Sequence, residues 1–140
     1  MNQFAEHLCI TFEGYRAKAY RCPAGVLTIG IGHAILPGEE FTSLSFDEAK
    51  AVLARDLSKA AASTFRQCPG LLFESEAVQG AIIDFTFNLG GGRLQSSTLR
   101  RRINQKNWPE VRKELNRWVY GGGKKLNGLV LRRAAEAKLI

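Results

Sequence analysis

The residues with the clearest chemical potential lie near the start of the chain. Glu13, Cys22 and Thr28 follow one another at spacings of nine and six residues and supply a carboxyl group, a thiol and a hydroxyl. A carboxyl group in apolar surroundings can remain protonated and act as a general acid, and a deprotonated thiol can act as a base. The stretch 13–33 therefore predicts an active site with Glu13 as its acid.

A tight hairpin would bring these groups together. Two β-prone runs flank Cys22-Pro-Ala-Gly25, where proline suits the second position of a type I turn and glycine the fourth. We expect one arm to alternate Tyr15, Ala17 and Ala19 and the other to carry Val26, Thr28 and Ile29. Folding back at this turn places Cys22 near Thr28.

A short helix must deliver the acid to the hairpin. Apolar residues recur at four-residue spacing and predict that helix: Phe4, Leu8 and Phe12. Gly14 can end it, which leaves Glu13 in its last turn. The alternative is a surface glutamate that pairs with Arg16 three residues later.

The remainder of the chain is predicted to be helical. Ser45-Phe-Asp-Glu48 is a capping box that starts a helix running to about Arg66, and Cys68-Pro-Gly70 breaks the pattern. The next helix, about 75–89, is apolar nearly all round and is predicted to be the buried centre. We expect Gly90-Gly-Gly92 to stop it.

Three more helices are expected after residue 93. Ser97 can cap a basic helix, and Pro109 suits the first turn of a helix whose apolar stripe includes Trp118. Gly121-Gly-Gly123 is predicted to be a flexible connection, with the last helix from about Leu129. The architecture is therefore predicted to be α+β, with a hairpin lobe, a helical lobe and a cleft between them.

Length and charge restrict the possibilities further. We expect 140 residues to form one domain, 1–140, with a small lobe at about 13–45 and a helical lobe at about 67–140 joined by the amino-terminal helix. Residues 1–92 carry a net charge of −3 and residues 93–140 carry +10. Such polarity indicates attraction to an anionic polymer, or else a solvated basic face.

The cysteines and the amino terminus carry further information. Three cysteines allow at most one disulfide and leave a free thiol. No signal peptide or membrane-spanning run is recognised, which predicts synthesis in the cytoplasm and no stable membrane insertion. Gly30 and Gly32 lack the helix and acidic residue of a dinucleotide site, and we expect neither a cofactor nor a bound metal.

The ordered motifs resemble the phage-type lysozymes, glycoside hydrolase family 24, most of all the endolysins of lambdoid phages. The resemblance covers nearly the whole chain and rests on Glu13-Gly-Tyr-Arg16, Thr28-Ile-Gly-Ile-Gly-His33 and the blocks 85–90, 97–100, 117–123 and 128–133. Most family members carry Asp where this chain has Cys22. The resemblance implies a lysozyme-like fold and a muramidase that cleaves the β-1,4 bond between N-acetylmuramic acid and N-acetylglucosamine in peptidoglycan.

The resemblance also implies residue roles. Glu13 corresponds to the general acid, Cys22 to the second catalytic group, which deprotonates or orients water, and Thr28 to the residue that holds this water. By analogy the reaction inverts the anomeric centre, for which the two side-chain tips should lie roughly 6.5–9.5 Å apart. Sugar contacts are implied for Ala34, Phe87 and Thr98, although a core position is equally compatible with Phe87.

Further expectations concern partners and regulation. The implied partner is the peptidoglycan glycan strand, met in the periplasm after release, by a monomer that binds no nucleic acid. We expect His33 to be structural and Trp108 and Trp118 to be core residues. Some relatives control the catalytic thiol by disulfide exchange; here a Cys9–Cys22 bridge is the corresponding hypothesis, and a buried helical Cys9 is the simpler one.

Three other functions were compatible with parts of the sequence. A zinc amidase would use His7, His33 and a cysteine, but their spacing resembles no ligand set. A basic helical nucleic-acid-binding protein would use residues 93–133, which two triple-glycine segments interrupt. A catalytically weak relative that only binds the wall is compatible with Cys22 in place of Asp.

Overall fold

The computed structural model describes residues 1–140 and confirms the α+β architecture. Three strands follow the first helix, and a short hairpin separates the last two helices. The elements are α1 (Gln3–Glu13), β1 (Arg16–Arg21), β2 (Leu27–Gly30), β3 (His33–Ala34), α2 (Phe46–Gln67), a 3₁₀ turn (Pro69–Phe73), α3 (Glu76–Leu89), α4 (Gly91–Gln95), α5 (Thr98–Asn104), α6 (Trp108–Leu115), β4 (Tyr120–Gly121), β5 (Lys124–Lys125) and α7 (Asn127–Ala137).

The predicted hairpin is present and extends to a third strand. The amide of Gly25 donates to the Cys22 carbonyl at 2.8 Å, which closes the tight turn between β1 and β2. The three strands are antiparallel in the order β1-β2-β3, and Thr28 pairs with Tyr20 on one side and Ala34 on the other. The register shifts between Arg16 and Tyr20, so strict alternation on the first arm does not hold.

The helix ends that position the site behave as predicted. Gly14, at φ 70°, caps α1 with its amide on the Ile10 carbonyl at 3.1 Å, and Glu13 is the last helical residue. At the start of α2 the Ser45 hydroxyl accepts from the Glu48 amide at 3.1 Å, while the Glu48 carboxylate accepts from the Ser45 amide at 2.9 Å. Both reciprocal bonds of the capping box are therefore made.

Two buried clusters hold the helices and the sheet in place. In the first, the inner face of α2 packs with β2 and α1, through Ala5, Cys9, Ile29, Ile31, Leu44, Ala49, Val52, Leu53, Leu57, Ala60 and Ile83. In the second, α3 packs with α5, α6 and α7, through Cys68, Leu71, Ile82, Phe85, Leu94, Leu99, Ile103, Val111, Leu115 and Ala137. Helix α3 contributes to both clusters and is the buried centre that its apolar composition predicted.

Gly90 caps α3 as predicted, and Gly91 starts the short helix α4, where its bare Cα lies against the Ser63 side chain. Two other predicted boundaries were wrong. Helix α6 ends at Leu115, so Trp118 lies outside it and packs edge-on against Phe85 at 5.5 Å between ring centroids. The last helix begins at Asn127 rather than Leu129.

The triple glycine at 121–123 is a defined turn and not a flexible connection. Tyr120–Gly121 pairs with Lys124–Lys125, and the two residues between them, Gly122 and Gly123, have φ values of 57° and 78°. Two successive positive φ angles form the type I′ turn that suits a two-residue hairpin. The sequence predicts a linker here because the two strands that the glycines connect are only two residues long and give no recognisable strand pattern.

His33 ties the sheet to α2, as the structural role predicted. Its Nδ1 lies 2.6 Å from Asp56 Oδ2 and its Nε2 lies 2.9 Å from Glu39 Oε1, while the ring is buried. Burial alone would lower the pKa of His33, but the bonds to Asp56 and Glu39 outweigh it and raise the pKa above its ordinary value. The imidazolium form therefore stabilises the fold.

The His33 cluster predicts a specific pH dependence of stability. Because the folded-state pKa is raised, the contribution is complete below about pH 6.5, the unfolded value, and is lost as the pH rises through the folded value. We expect His33→Gln to lower the free energy of unfolding by about 2 kcal/mol at pH 6 and by less at pH 9. Urea unfolding at both pH values measures this. His7→Gln, which changes an exposed histidine, is the control; an equal loss at both pH values would contradict the prediction.

Candidate active site

Glu13 lies where the end of α1 meets the sheet, in an ionic environment. Its Oε1 accepts from Arg132 Nη1 at 2.7 Å, and its side chain is 21% exposed. The apolar surroundings expected for this carboxyl group are therefore not present. The alternative pair with Arg16 does not form either, because the Arg16 guanidinium lies 4.5 Å above the Tyr20 ring.

Gly32 allows Glu13 to reach the wall of the cleft. A Cβ at position 32 would lie 2.8 Å from both Cγ and Cδ of Glu13 and would overlap its carboxylate oxygen. Gly32 also has φ 67°, a conformation that side chains rarely adopt. This glycine thus allows the backbone to approach the acid itself, with no Cβ between the carboxyl group and the β2–β3 turn.

Arg132 connects Glu13 to a buried carboxylate. Its Nε and Nη2 donate to the two oxygens of Asp84 at 2.9 and 2.7 Å, and both residues are almost fully buried. The Cys9 thiol donates to Asp84 Oδ1 at 3.2 Å. Burial and the neighbouring Asp84 charge raise the pKa of Cys9, so this thiol is neutral and Cys9 is the buried helical residue expected from the sequence.

Cys22 and Thr28 lie together across the hairpin turn, as predicted. Partial burial raises the pKa of the Cys22 thiol, but hydrogen bonds from the Val26 and Ala24 amides and from the Thr28 hydroxyl outweigh it, so the pKa is lower than usual. The Glu13 charge opposes this shift. The hairpin thus favours ionisation of the Cys22 thiol.

The Thr28 hydroxyl has two acceptors for one hydrogen. It donates to the Val26 carbonyl at 2.9 Å, and it is also the side-chain donor that lowers the pKa of Cys22. One hydroxyl cannot serve both at once. Ionisation of Cys22 would therefore turn the hydroxyl from Val26 toward the sulfur.

A cleft cavity of about 340 Å³ lies between the sheet and the helices. Ala34 and Phe87 lie on opposite walls of this cavity, the former on β3 and the latter on α3. Phe87 is half-buried and also packs against the first core cluster, which confirms the core role, while its sugar contact stays a prediction. The remaining lining residues are Gly32, His33, Leu36, Asp56, Lys59, Ala60, Ser63, Thr86 and Gly91.

Thr98 does not line this cavity. It is the first residue of α5, and its hydroxyl accepts from Arg101 Nη2 at 3.0 Å. The structure therefore brings Cys22 and Thr28 together and places Ala34 and Phe87 in one cleft. A sugar contact at Thr98 stays a prediction.

The sequence reasoning missed Arg132 and Asp84. A signal for Asp84 was available, because it is the only charged residue in the middle of a helix that is otherwise apolar on every side. A charge in that position needs a buried partner of opposite sign. Arg132 lies in the block 128–133 that carries part of the family resemblance. No local pattern connects it to Asp84 and Glu13, which are 48 and 119 positions away in the sequence.

The side chains do not fit the zinc-amidase alternative. Both ring nitrogens of His33 are bonded to carboxylates, and no group of three His, Cys, Asp or Glu side chains is placed to hold a metal ion. No helix has the length and apolar character needed to cross a bilayer.

A carboxyl group at the end of a helix, where a small sheet meets a bundle of helices beside a cleft, is the arrangement of glycoside hydrolases of the lysozyme class. Sequence comparison supports this class. The family model described as Phage lysozyme matches residues 10–136, and the chain belongs to this family. It is a glycoside hydrolase.

Individual relatives and structures agree with the assignment. The chain is 39% identical over 132 residues to the SAR-endolysin of Bacteriophage PS34, covering 91% of this chain and 75% of that protein. It is 40% identical over 129 residues to the SAR-endolysin of Bacteriophage PS119, covering 89% and 73%. The muramidase domain of SpmX from Asticaccaulis excentricus superposes with a TM-score of 0.82 at 26% identity, covering 98% and 94%.

The active form of the P1 phage endolysin Lyz has the same fold. It superposes with a TM-score of 0.85 at 24% identity, covering 99% of this chain and 83% of that one.

The hydrogen bonds at the hairpin predict which cysteine reacts first. We expect iodoacetamide to alkylate Cys22 well before the two buried thiols, because burial raises the pKa of Cys68 to about 11 and that of Cys9 further. Thr28→Val should raise the pH at which Cys22 is half-alkylated, and Thr28→Ser, which keeps the hydroxyl, should not. Mass spectrometry of timed samples measures both. Identical profiles for the valine and serine variants would show that the hydroxyl does not act on the sulfur.

Proposed function

We propose that this chain is an endolysin that hydrolyses the β-1,4 bond between N-acetylmuramic acid and N-acetylglucosamine in peptidoglycan. The proposal is supported by the family and by relatives that bear the names endolysin and muramidase. The observation that carries it is the Glu13 carboxyl group, which is held against Gly32 and whose charge acts on the pKa of the Cys22 thiol.

In this mechanism Glu13 is the general acid. It donates a proton to the bridging oxygen between the two sugars, which allows the leaving sugar to depart as a neutral alcohol. The Arg132 cation lies 2.7 Å from the carboxylate and keeps it at this position between turnovers. Water then adds from the hairpin side, which inverts the anomeric centre.

Cys22 and Thr28 act on the attacking water. A thiolate at Cys22 accepts its proton, while the Thr28 hydroxyl orients it or the sulfur. The lowered pKa of Cys22 increases the fraction of thiolate at neutral pH. We propose that Ala34 and Phe87, which line the cleft, and Thr98 contact the sugars.

The site of action follows from the substrate. We propose that the protein is made in the host cytoplasm and acts as a monomer in the periplasm after its release. The net charge of +10 over residues 93–140 would attract it to the anionic wall.

A catalytically weak wall-binding relative is the second candidate. The observation that favours it is the ion pair of Glu13 with Arg132, which stabilises the carboxylate rather than the acid. A measurement of lytic activity distinguishes an active endolysin from a relative that only binds the wall.

Glu13→Gln should remove lytic activity. The amide keeps the shape of the side chain but cannot donate a proton as an acid, so we expect at least a hundredfold loss, about the contribution of one general acid. The decrease in turbidity of outer-membrane-permeabilised Gram-negative cells measures it. Glu40→Gln, which changes a carboxylate outside the site, is the matched control. Substantial lysis by Glu13→Gln would exclude the proposed mechanism.

Variants at Cys22 test the proposed role of its thiol as the base that accepts a proton from water. We expect Cys22→Ser to be strongly impaired, because a serine hydroxyl is not ionised near neutral pH. Cys22→Asp should retain activity and extend it to lower pH, since a carboxyl group ionises several pH units below a thiol. Rates on purified peptidoglycan between pH 4 and 9 show this. If Cys22→Ser were fully active, Cys22 would not be the base.

A further inference from the structure

Asp84 is a buried charge that the mechanism above does not use. It is fully buried in the middle of α3 and does not line the cleft cavity. Removing a carboxylate from water costs several kcal/mol unless partners compensate for it. Its compensation comes from Arg132 through two hydrogen bonds, with the Cys9 thiol as a third donor.

The two bonds from Arg132 fix the orientation of a rigid plane. A guanidinium group is planar, so holding Nε and Nη2 on one carboxylate also determines where Nη1 points. Nη1 points at Glu13 Oε1, 2.7 Å away. Asp84 on α3 thus determines, through Arg132 on α7, the position of the carboxyl group at the end of α1.

We infer that Asp84 is a positioning residue for Glu13, which it orients through the Arg132 guanidinium without touching the substrate. This inference rests on the proposed catalytic role of Glu13. Charged hydrogen bonds thus restrict the rotation that the glutamate side chain would otherwise have, in addition to its contact with Gly32.

The other ionisable groups around Asp84 form a second ion pair. Arg133 Nη2 donates to Glu136 Oε1 at 2.9 Å, and both side chains are fully buried. Burial raises the pKa of Glu136, and the Arg133 charge opposes this shift. Burial acts on Asp84 in the same direction, but the bonds from Arg132 outweigh it and lower the pKa of Asp84.

Asp84→Asn is the direct test. The amide keeps the size of the side chain but presents an N–H to one of the Arg132 donors and no charge, so the bidentate contact is lost. We expect kcat to fall about tenfold or more with KM nearly unchanged, since the sugar-binding surface is untouched.

A second readout does not depend on activity. The Glu13 side chain, followed by NMR relaxation in the unligated protein, should be more mobile in Asp84→Asn than in the wild type, because the Arg132 guanidinium is no longer held in place. Thr64→Val is the matched control, because Thr64 is equally buried and hydrogen-bonded on α2 but does not contact Arg132. It should change stability without changing kcat or the mobility of the Glu13 side chain.

The outcomes separate the inference from the proposed function. A loss of kcat that only follows the fraction of unfolded protein, with the mobility of the Glu13 side chain unchanged, would overturn the positioning role. An active Glu13→Gln variant would overturn the catalytic role, while the NMR measurement on the Asp84→Asn variant would still report whether Asp84 restrains the Glu13 side chain. If Asp84→Asn does not fold, Arg132→Lys replaces it, since a single ammonium cannot hold both carboxylates; unchanged kcat there would equally contradict the inference.

Discussion

The ion pair between Arg132 and the two carboxylates on either side of it is the constraint on which the site depends. It joins three helices that are distant in sequence: α1 through Glu13, α3 through Asp84 and α7 through Arg132 itself. Apolar packing fixes helices within a range of positions, because dispersion contacts are not directional. A planar guanidinium with three short hydrogen bonds fixes the three helices in a single relative position.

The two sides of the cleft are organised by different physical means. On the helical side, charge is buried and therefore needs defined partners, so the acid is held by electrostatics. On the hairpin side, a tight turn brings backbone amides and the Thr28 hydroxyl to the Cys22 sulfur. His33 then joins the sheet to α2 through Asp56, which keeps the hairpin at a fixed distance from the helices.

Glycines are as important as the charged residues in this arrangement. Gly14 ends α1 directly after the acid, and Gly32 leaves the space that its carboxyl group occupies. Any side chain at position 32 would displace Glu13 from the cleft wall. The geometry of the active site therefore depends on the absence of side chains at these two glycines as well as on the reacting groups.

Much of the fold was predictable from the sequence, because many of its elements depend on interactions between residues close together in the chain. Helix caps at Ser45 and Gly14, the turn at residues 22–25 and the apolar helix α3 depend on neighbours within a few residues, and the motifs around Glu13, Cys22 and Thr28 indicated the family. The environment of Glu13, the link to Arg132 and Asp84 and the hairpin at 121–123 were decided only by the tertiary structure. Their partners are brought together by packing across the whole chain, and an ion pair spanning 119 residues leaves no periodicity or spacing in the sequence.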